Sequence, residues 1–286
     1  MKNVPCPDRR FTLVLQPLAA RVEASYAKWM KHLVERLGSD AVRSLWGTAS
    51  KRYDLGFLER ILDAGWSPFT PADPPDRQSA PPPTLGDSLG VGQQGMRASE
   101  AKSLIEETPP LPQFRARFPL LDVQRDTTAY EALHLYAHGL ALLSETLIDS
   151  YGKQGELIAY DVLSDGRFAM GKRMGGTVSD FIKQSDEEFD KPGIYSAGLE
   201  AERIRISSTE CITRVRQCEW ARYFREKHPR VGYLIACSTD EAFARGFNEQ
   251  LRMQRTSTIM EGADVCDFRF YSVGEVSDNQ DTGGTA

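Results

Sequence analysis

Long apolar runs and concentrated basic segments are both missing from this sequence of 286 residues. No stretch approaches the roughly 20 apolar residues that a membrane-spanning helix needs. The charge balance is mildly acidic, with a formal net charge of -5, and no basic stripe marks a nucleic-acid surface. These absences predict a protein with no membrane span and no nucleic-acid partner.

CxxC motifs are missing as well, because no two of the five cysteines have this spacing. The sequence therefore does not predict a zinc ribbon or a thioredoxin-like site. The N-terminal apolar piece lies between Pro7 and Pro17 and is too short for the core of a signal peptide. An odd number of cysteines without a secretion signal predicts free thiols and a cytoplasmic protein.

Proline is unevenly distributed, because 11 of the 16 prolines lie between Pro68 and Pro119. Such a segment can bury little apolar surface and is typical of a linker, or of a lid over a site. The composition predicts a helical region at 1–65, a proline-rich linker or lid at 66–120, an α+β domain at 121–273 and a disordered tail at 274–286.

Hydrophobic periodicity predicts helices in the first half of the chain and strands mixed with helices in the second half. Helices are predicted at 18–64 with a break at Gly38, at 99–107, 126–152, 154–189 and 218–227, and from 238. Strands are predicted in "LEAERIRIS", "ECITRVRQ" and "VGYLIAC", and at 250–260 and 265–272. The order indicates an α+β fold, with N-terminal helices followed by an antiparallel C-terminal sheet of about four to five strands packed with helices.

The last two predicted strands form a hairpin that separates two reactive residues. With a turn at 261–264, Ile259 lies opposite Cys266 and Arg255 lies opposite Phe270. Because neighbouring strand residues point to opposite faces, Cys266 shares an apolar face with Arg255, whereas Asp267 faces the other side. Arg255 is then a lone cation, predicted either to pair with a buried acid or to bind a substrate carboxylate. Asp267 is predicted to support the hairpin if the pocket lies on the apolar face.

Cys237 ends the predicted strand "VGYLIAC" and precedes a helix. Ser238 and Glu241 have the spacing of a capping box, and backbone N–H groups at a helix start favour a thiolate. Asp240 in the first turn could act as a general base toward water or toward Cys237. The alternative is a plain buried cysteine beside an ordinary acidic first turn.

A polar helix face carries Glu131, His134 and His138 at spacings of three and four residues. Two histidines four residues apart can bind one metal ion, and the glutamate could be a third ligand. This face predicts either a divalent-metal site or an ordinary polar surface. No cofactor is otherwise indicated by the sequence.

The segment from "CEWARYFREKHPRVGYLIAC" to "RTSTIMEGADVCDFRF" resembles the C-terminal half of the L-2-amino-thiazoline-4-carboxylic acid hydrolase family. The resemblance covers about half of the chain, and the region from about Thr127 fits more loosely. The residues that carry it are Cys218, Cys237, Asp240, Asn248, Arg255, Thr256, Gly262, Cys266, Asp267 and Phe268.

The resemblance implies a hydrolase-like domain at 121–273 that opens a C–N or C=N bond of a small cyclic carboxylic acid. Attack on such a carbon needs a nucleophile, a proton donor and an anchor. The implied catalytic residues are Cys237, Asp240, Cys266 and Asp267, and the implied substrate-binding residues are Arg255, Thr256, Asn248 and Cys218. A lyase or isomerase, the metal-dependent enzyme and a non-catalytic ligand-binding module are the alternatives. The partner is a small-molecule substrate, and a homo-oligomer is left open.

Overall fold

The computed structural model describes residues 8–14, 26, 28–53, 67–68 and 123–273. The predicted helix at 99–107, most of the predicted linker and the tail at 274–286 lie outside these residues. Within the described part, none of the helices is both long and apolar enough to cross a bilayer. The described residues form a mixed helical and sheet structure, which confirms the predicted α+β class.

The N-terminal part combines a strand with two helices. Strand β1 is Arg10–Val14, helix α1 spans 28–37 and helix α2 is Ser39–Lys51. Gly38 separates the helices with a φ of 81°, a left-handed value that suits glycine. The predicted break at Gly38 is therefore confirmed. Apolar side chains of both helices belong to one buried cluster, which includes Met30, Leu33 and Trp46.

A small antiparallel sheet joins this part to the rest of the chain. Strand β3, Val123–Thr128, lies between β1 and the short β2 at Ser67–Pro68. The helix predicted from 126 begins only at Ala129, because Thr128 is its N-cap and forms a capping box with Glu131. This reciprocal pair of hydrogen bonds satisfies two backbone donors at the helix start.

Helix α3, Ala129–Met174, folds back on itself at Gly152, whose φ of 57° and ψ of -134° are not helical. A Cβ placed at Gly155 would lie 2.2 Å from the carbonyl oxygen of Leu147. Eight residues of straight helix would separate these positions by about 12 Å, so the chain must reverse between them. The predicted helices at 126–152 and 154–189 correspond to the two arms of α3 and to helix α4, Val178–Asp190.

The C-terminal half contains a four-stranded antiparallel sheet, which confirms the predicted sheet. Its order is β4–β5–β7–β6. Along the chain the elements after α4 are α5 Ile194–Gly198, β4 Leu199–Arg205, β5 Glu210–Cys218, α6 Glu219–Lys227, α7 Gly232–Ala236, α8 Asp240–Phe247, β6 Leu251–Gln254, a 3-10 turn Ile259–Glu261 and β7 Cys266–Ser272. One sheet face packs on α4 and α8 through a buried cluster that includes Phe181, Cys211 and Phe247.

The strand predicted in "VGYLIAC" is wrong, because residues Gly232–Ala236 form helix α7. A short apolar run does not distinguish a buried strand from a buried helix. Here the packing decides between them: a Cβ at Gly232 would lie 2.7 Å from the Cβ of Phe224 and 2.9 Å from the sulfur of Met260. This close approach places α7 between α6 and the 3-10 turn.

The predicted hairpin register is also wrong, because Met253 pairs with Phe270 and Gln254 with Arg269. The observed pairing is displaced by two residues from the predicted one. A shift of two keeps every side chain on its predicted face, since the strand period is two. Strand β6 ends at Gln254, and the chain then leaves the sheet and returns through the 3-10 turn to Cys266.

Candidate active site

Three cysteine thiols from separate elements meet beside β7. We name Cys218, Cys237 and Cys266 the thiol cluster; a charge on Cys218 or Cys266 would raise the pKa of Cys237. Burial is the main cause that raises the pKa of all three thiols, to about 12 for Cys218. The nearby Asp240 adds to this effect at Cys237. The cluster is therefore protonated at neutral pH.

The local geometry of Cys237 differs from the prediction. Helix α8 begins at Asp240, one residue later than a cap at Ser238 implies, and its N-cap is Thr239, without a side-chain capping bond. The hydroxyl of Ser238 donates instead to the carbonyl oxygen of Leu234, at 2.7 Å. The expected capping box is wrong, and the pKa of Cys237 is raised rather than lowered.

Asp240 lies between two arginines, an arrangement that we name the charged bracket. Nη2 of Arg167 donates to Oδ1 of Asp240 at 3.0 Å, and Nη1 of Arg255 donates to Oδ2 at 3.0 Å. Burial raises the pKa of Asp240, and the two guanidiniums oppose this shift. The side chain of Asp240 is 20% exposed, and a partly buried carboxylate with a raised pKa beside specific charged partners is characteristic of functional sites.

Arg255 is not the lone cation that the sequence predicts, because it pairs with Asp240. Its Nη2 also donates to the carbonyl oxygen of Cys237 at 3.1 Å and to the hydroxyl of Tyr233 at 3.3 Å. The guanidinium lies over the rings of Tyr233 and Phe268, with its central carbon 5.6 and 5.2 Å from their centroids. These contacts connect the loop after β6 with the first turn of α8.

Two glycines set the distance between α3 and α8, and so between Arg167 and Asp240. A Cβ at Gly171 would lie 2.2 Å from the carbonyl oxygen of Phe243, and a Cβ at Gly246 would lie 2.2 Å from that of Phe168. Real Cβ atoms do not approach backbone this closely, so only glycine allows the two helix backbones to touch. The crossing brings Arg167, 73 residues away in sequence, to Asp240.

Asp267 lies outside the charged bracket and holds the chain that follows Arg255. It accepts hydrogen bonds from the backbone N–H groups of Thr256 and Ser257, at 2.9 and 2.7 Å, and from both their hydroxyls. Burial acts to raise the pKa of Asp267, but these hydrogen bonds lower it to about 2. Thr256 is exposed, and its hydrogen bonds to Asp267 stabilise the chain that follows Arg255.

Asn248 holds a second turn, at the end of α8. Its side-chain Nδ2 donates to the carbonyl oxygen of Gly176 at 2.8 Å, and its side-chain Oδ1 accepts from the backbone N–H of Gln250 at 2.8 Å. The structure thus brings Cys218, Cys237, Cys266, Asp240 and Arg255 together, and places Asn248 in a neighbouring turn.

The predicted metal face is divided in the structure. Glu131 caps α3 and accepts a hydrogen bond from the hydroxyl of Thr127 at 2.8 Å, whereas His134 and His138 are buried and stacked at 4.3 Å. Within the described residues, no group of three or more His, Cys, Asp or Glu side chains has the arrangement of a metal site.

The buried histidines instead belong to a hydrogen-bonded network that the sequence does not predict. Nδ1 of His138 lies 2.7 Å from Nε2 of His228, and Nδ1 of His228 lies 3.0 Å from Oε1 of Glu145. Arg52 pairs with the other oxygen of Glu145. Burial acts to raise the pKa of Glu145, but the hydrogen bond from His228 and the charge of Arg52 together lower it.

Comparison with known families bears on the C-terminal half of the chain. Residues 132–270 match the model of the L-2-amino-thiazoline-4-carboxylic acid hydrolase family. This match confirms the resemblance and supports a hydrolase of that family. The matched region contains the thiol cluster and the charged bracket. No curated protein and no solved structure matches the chain.

The sequence does not predict that Arg167 and Thr239 lie beside Asp240 in the site. Arg167 lies on a helix whose pattern predicts an ordinary charged surface, and its contact with Asp240 depends on the fold-back of α3. Thr239 lies between two residues that were singled out, Cys237 and Asp240. A threonine between Cys237 and Asp240 is the feature of the sequence that could have indicated a role for Thr239.

Proposed function

We propose that this protein is a hydrolase that opens a C–N or C=N bond of a small cyclic carboxylic acid. The observation that carries the proposal is the charged bracket beside the thiol cluster, within the region matched by the family. A carboxylate with a raised pKa can act both as base and as acid near neutral pH. Asp240 has these properties.

Asp240 takes a proton from a water molecule while the water oxygen bonds to the ring carbon of the substrate. Where the bond is C=N, its π electrons move to nitrogen, which takes that proton from Asp240. Asp240 then accepts the proton of the new hydroxyl group as it becomes a carbonyl, the remaining carbon–nitrogen bond breaks, and the departing nitrogen receives this second proton. Protonated thiols are weak nucleophiles, so we favour attack by water over direct attack by Cys237. Cys237 and Cys266 are then walls of the site.

The experiment is turnover of L-2-amino-thiazoline-4-carboxylic acid by the purified chain. Asp240→Asn removes the base and is expected to lower kcat about 100-fold or more, whereas Cys237→Ala lowers it less. Asp186→Asn is the matched control, because Asp186 also pairs with two arginines, Arg203 and Arg205, in an exposed position. A wild-type chain without turnover, or a fully active Asp240→Asn variant, contradicts the proposal.

A further inference from the structure

Two polar groups beside Asp240 are buried without a hydrogen-bond partner among the described residues. They are Nε of Arg167 and Oγ1 of Thr239. A buried polar group without a partner costs about 1–3 kcal/mol, so such groups are rare and call for an explanation. One belongs to an arginine that pairs with Asp240, and the other belongs to the residue that precedes Asp240 in the chain.

The geometry of Arg167 explains why one donor is left over. The guanidinium donates to Oδ1 of Asp240 through Nη2, interacts with the side chain of Tyr195 and lies over the ring of Phe243, and its Nε makes none of these hydrogen bonds. Arginine commonly binds a carboxylate through two parallel N–H groups. Its Nε–H is therefore available to a second acceptor close to Asp240. Arg255, in contrast, directs Nη1 and Nη2 to Asp240, Cys237 and Tyr233.

Thr239 supplies the second group. It is fully buried at 0% exposure, and although it is the N-cap of α8, its hydroxyl makes no capping bond. An N-cap threonine normally uses its oxygen to accept a backbone N–H. The hydroxyl is thus able to donate to an acceptor that the described residues do not provide.

We infer that Arg167 and Thr239 form the subsite that receives the carboxylate of the substrate. This inference rests on the proposed function and assigns the anchoring role to Arg167 and Thr239 in place of Arg255. Nε–H of Arg167 and the hydroxyl of Thr239 each donate to the substrate carboxylate. The ring of the substrate is thereby held beside Asp240, and an uncharged carboxamide in the same place loses the charge-assisted hydrogen bond from Arg167.

The test uses an unreactive probe, L-thiazolidine-4-carboxylic acid, and its carboxamide, with binding measured by calorimetry. The wild-type chain is expected to bind the acid at least about tenfold more tightly than the amide. Thr239→Val is expected to weaken acid binding about tenfold and to leave the melting temperature unchanged or higher, because the hydroxyl has no hydrogen-bond partner in the described part of the chain. Arg167→Lys keeps the charge but removes Nε–H, and is expected to lower acid affinity and raise KM.

Two variants serve as matched controls. Thr146→Val removes a buried hydroxyl that donates to the carbonyl oxygen of Leu142 in its own helix. Arg36→Lys alters an arginine of α1 that pairs with Asp161 and Asp165. These two aspartates lie on the same arm of α3 as Arg167. Neither is expected to change the preference for acid over amide.

The outcomes separate the subsite from the proposed function. If Thr239→Val and Arg167→Lys bind the acid as the wild type does, the buried groups hold only water and the inference is wrong. The inference is also overturned if Thr239→Val lowers the melting temperature without changing the preference. If the preference responds to both changes but no variant or wild-type chain turns over the thiazoline acid, the subsite stands and the proposed hydrolysis fails.

Discussion

Nη1 of Arg255 lies 3.0 Å from Oδ2 of Asp240, and this pair joins the loop after β6 to the start of α8. The side chain of Arg255 is only 7% exposed, so the pair is shielded from solvent. Removing one partner leaves the other charge buried and uncompensated. The pair therefore stabilises the loop and keeps Asp240 in place.

Arg255→Met is expected to lower the free energy of unfolding by about 3 kcal/mol, since it leaves Asp240 with one guanidinium. Urea unfolding followed by circular dichroism measures the change. Arg252→Met is the control, because Arg252 donates to backbone carbonyl oxygens at an exposed turn, and it is expected to have a small effect. Equal stability of Arg255→Met and wild type would show that the pair is not stabilising.

Gly171→Ala is expected to destabilise the protein and to reduce activity, because the new Cβ would force α8 away from α3. The distance between Arg167 and Asp240 would then increase. Gly166→Ala lies on the same arm of α3 and its Cβ would meet nothing within 4 Å, so it is expected to stabilise the helix by about 0.5–1 kcal/mol. Thermal unfolding and kcat of both variants check this contrast, and similar results for the two alanines would contradict it.

Asp267 is expected to make stability depend on acidic pH. Its pKa is about 2 in the folded protein and 3.8 without the fold, so folding favours the ionised form. Its contribution is present above pH 3.8 and is lost as the pH falls to about 2. Asp267→Asn should therefore be less stable than wild type at pH 7, with a difference that shrinks between pH 4 and 2. Exposed Asp264 offers the control Asp264→Asn, and a constant difference over this range would disprove the assignment.

Glu145→Gln is expected to lower the free energy of unfolding by about 2 kcal/mol, because it replaces charge-assisted hydrogen bonds to His228 and Arg52 by neutral ones. The exposed Glu156, which pairs with Lys153, provides the control Glu156→Gln with an expected change below about 1 kcal/mol. Chemical unfolding at pH 7 measures both. A loss no larger than that of the control would mean that the network contributes nothing to stability.

Local patterns in the sequence account for most of the elements that the structure shows. The alternation in "LEAERIRIS" predicts β4, and helical spacing predicts the helices at 126–152 and 154–189, which correspond to the two arms of α3 and to α4. The run "VGYLIAC" fails because its apolar residues fit a buried strand and a buried helix equally well. Its conformation depends on contacts with Phe224 and Met260, which the local pattern does not contain.

Part of the candidate site is likewise predictable from local sequence, and part depends on contacts between distant residues. Cys237, Asp240 and Arg255 lie within 19 consecutive residues, and their pattern is readable along the chain. Arg167 and the network of His138, His228 and Glu145 depend on contacts between residues 73 to 90 positions apart. Such contacts follow from the reversal of α3 and from helix crossings, and periodicity does not encode them.

The reversal at Gly152 also bears on the order in which the protein folds. The two arms of α3 are neighbours in sequence, whereas β5 pairs with β7 across about fifty residues, as in the partners Val215 and Cys266. Closing a short loop costs less chain entropy than closing a long one. We expect the α3 hairpin to gain protection before the sheet does, and pulsed hydrogen exchange during refolding would reveal the sequence of events. The part of the chain that carries Arg167 would then be a template on which the remainder of the site assembles.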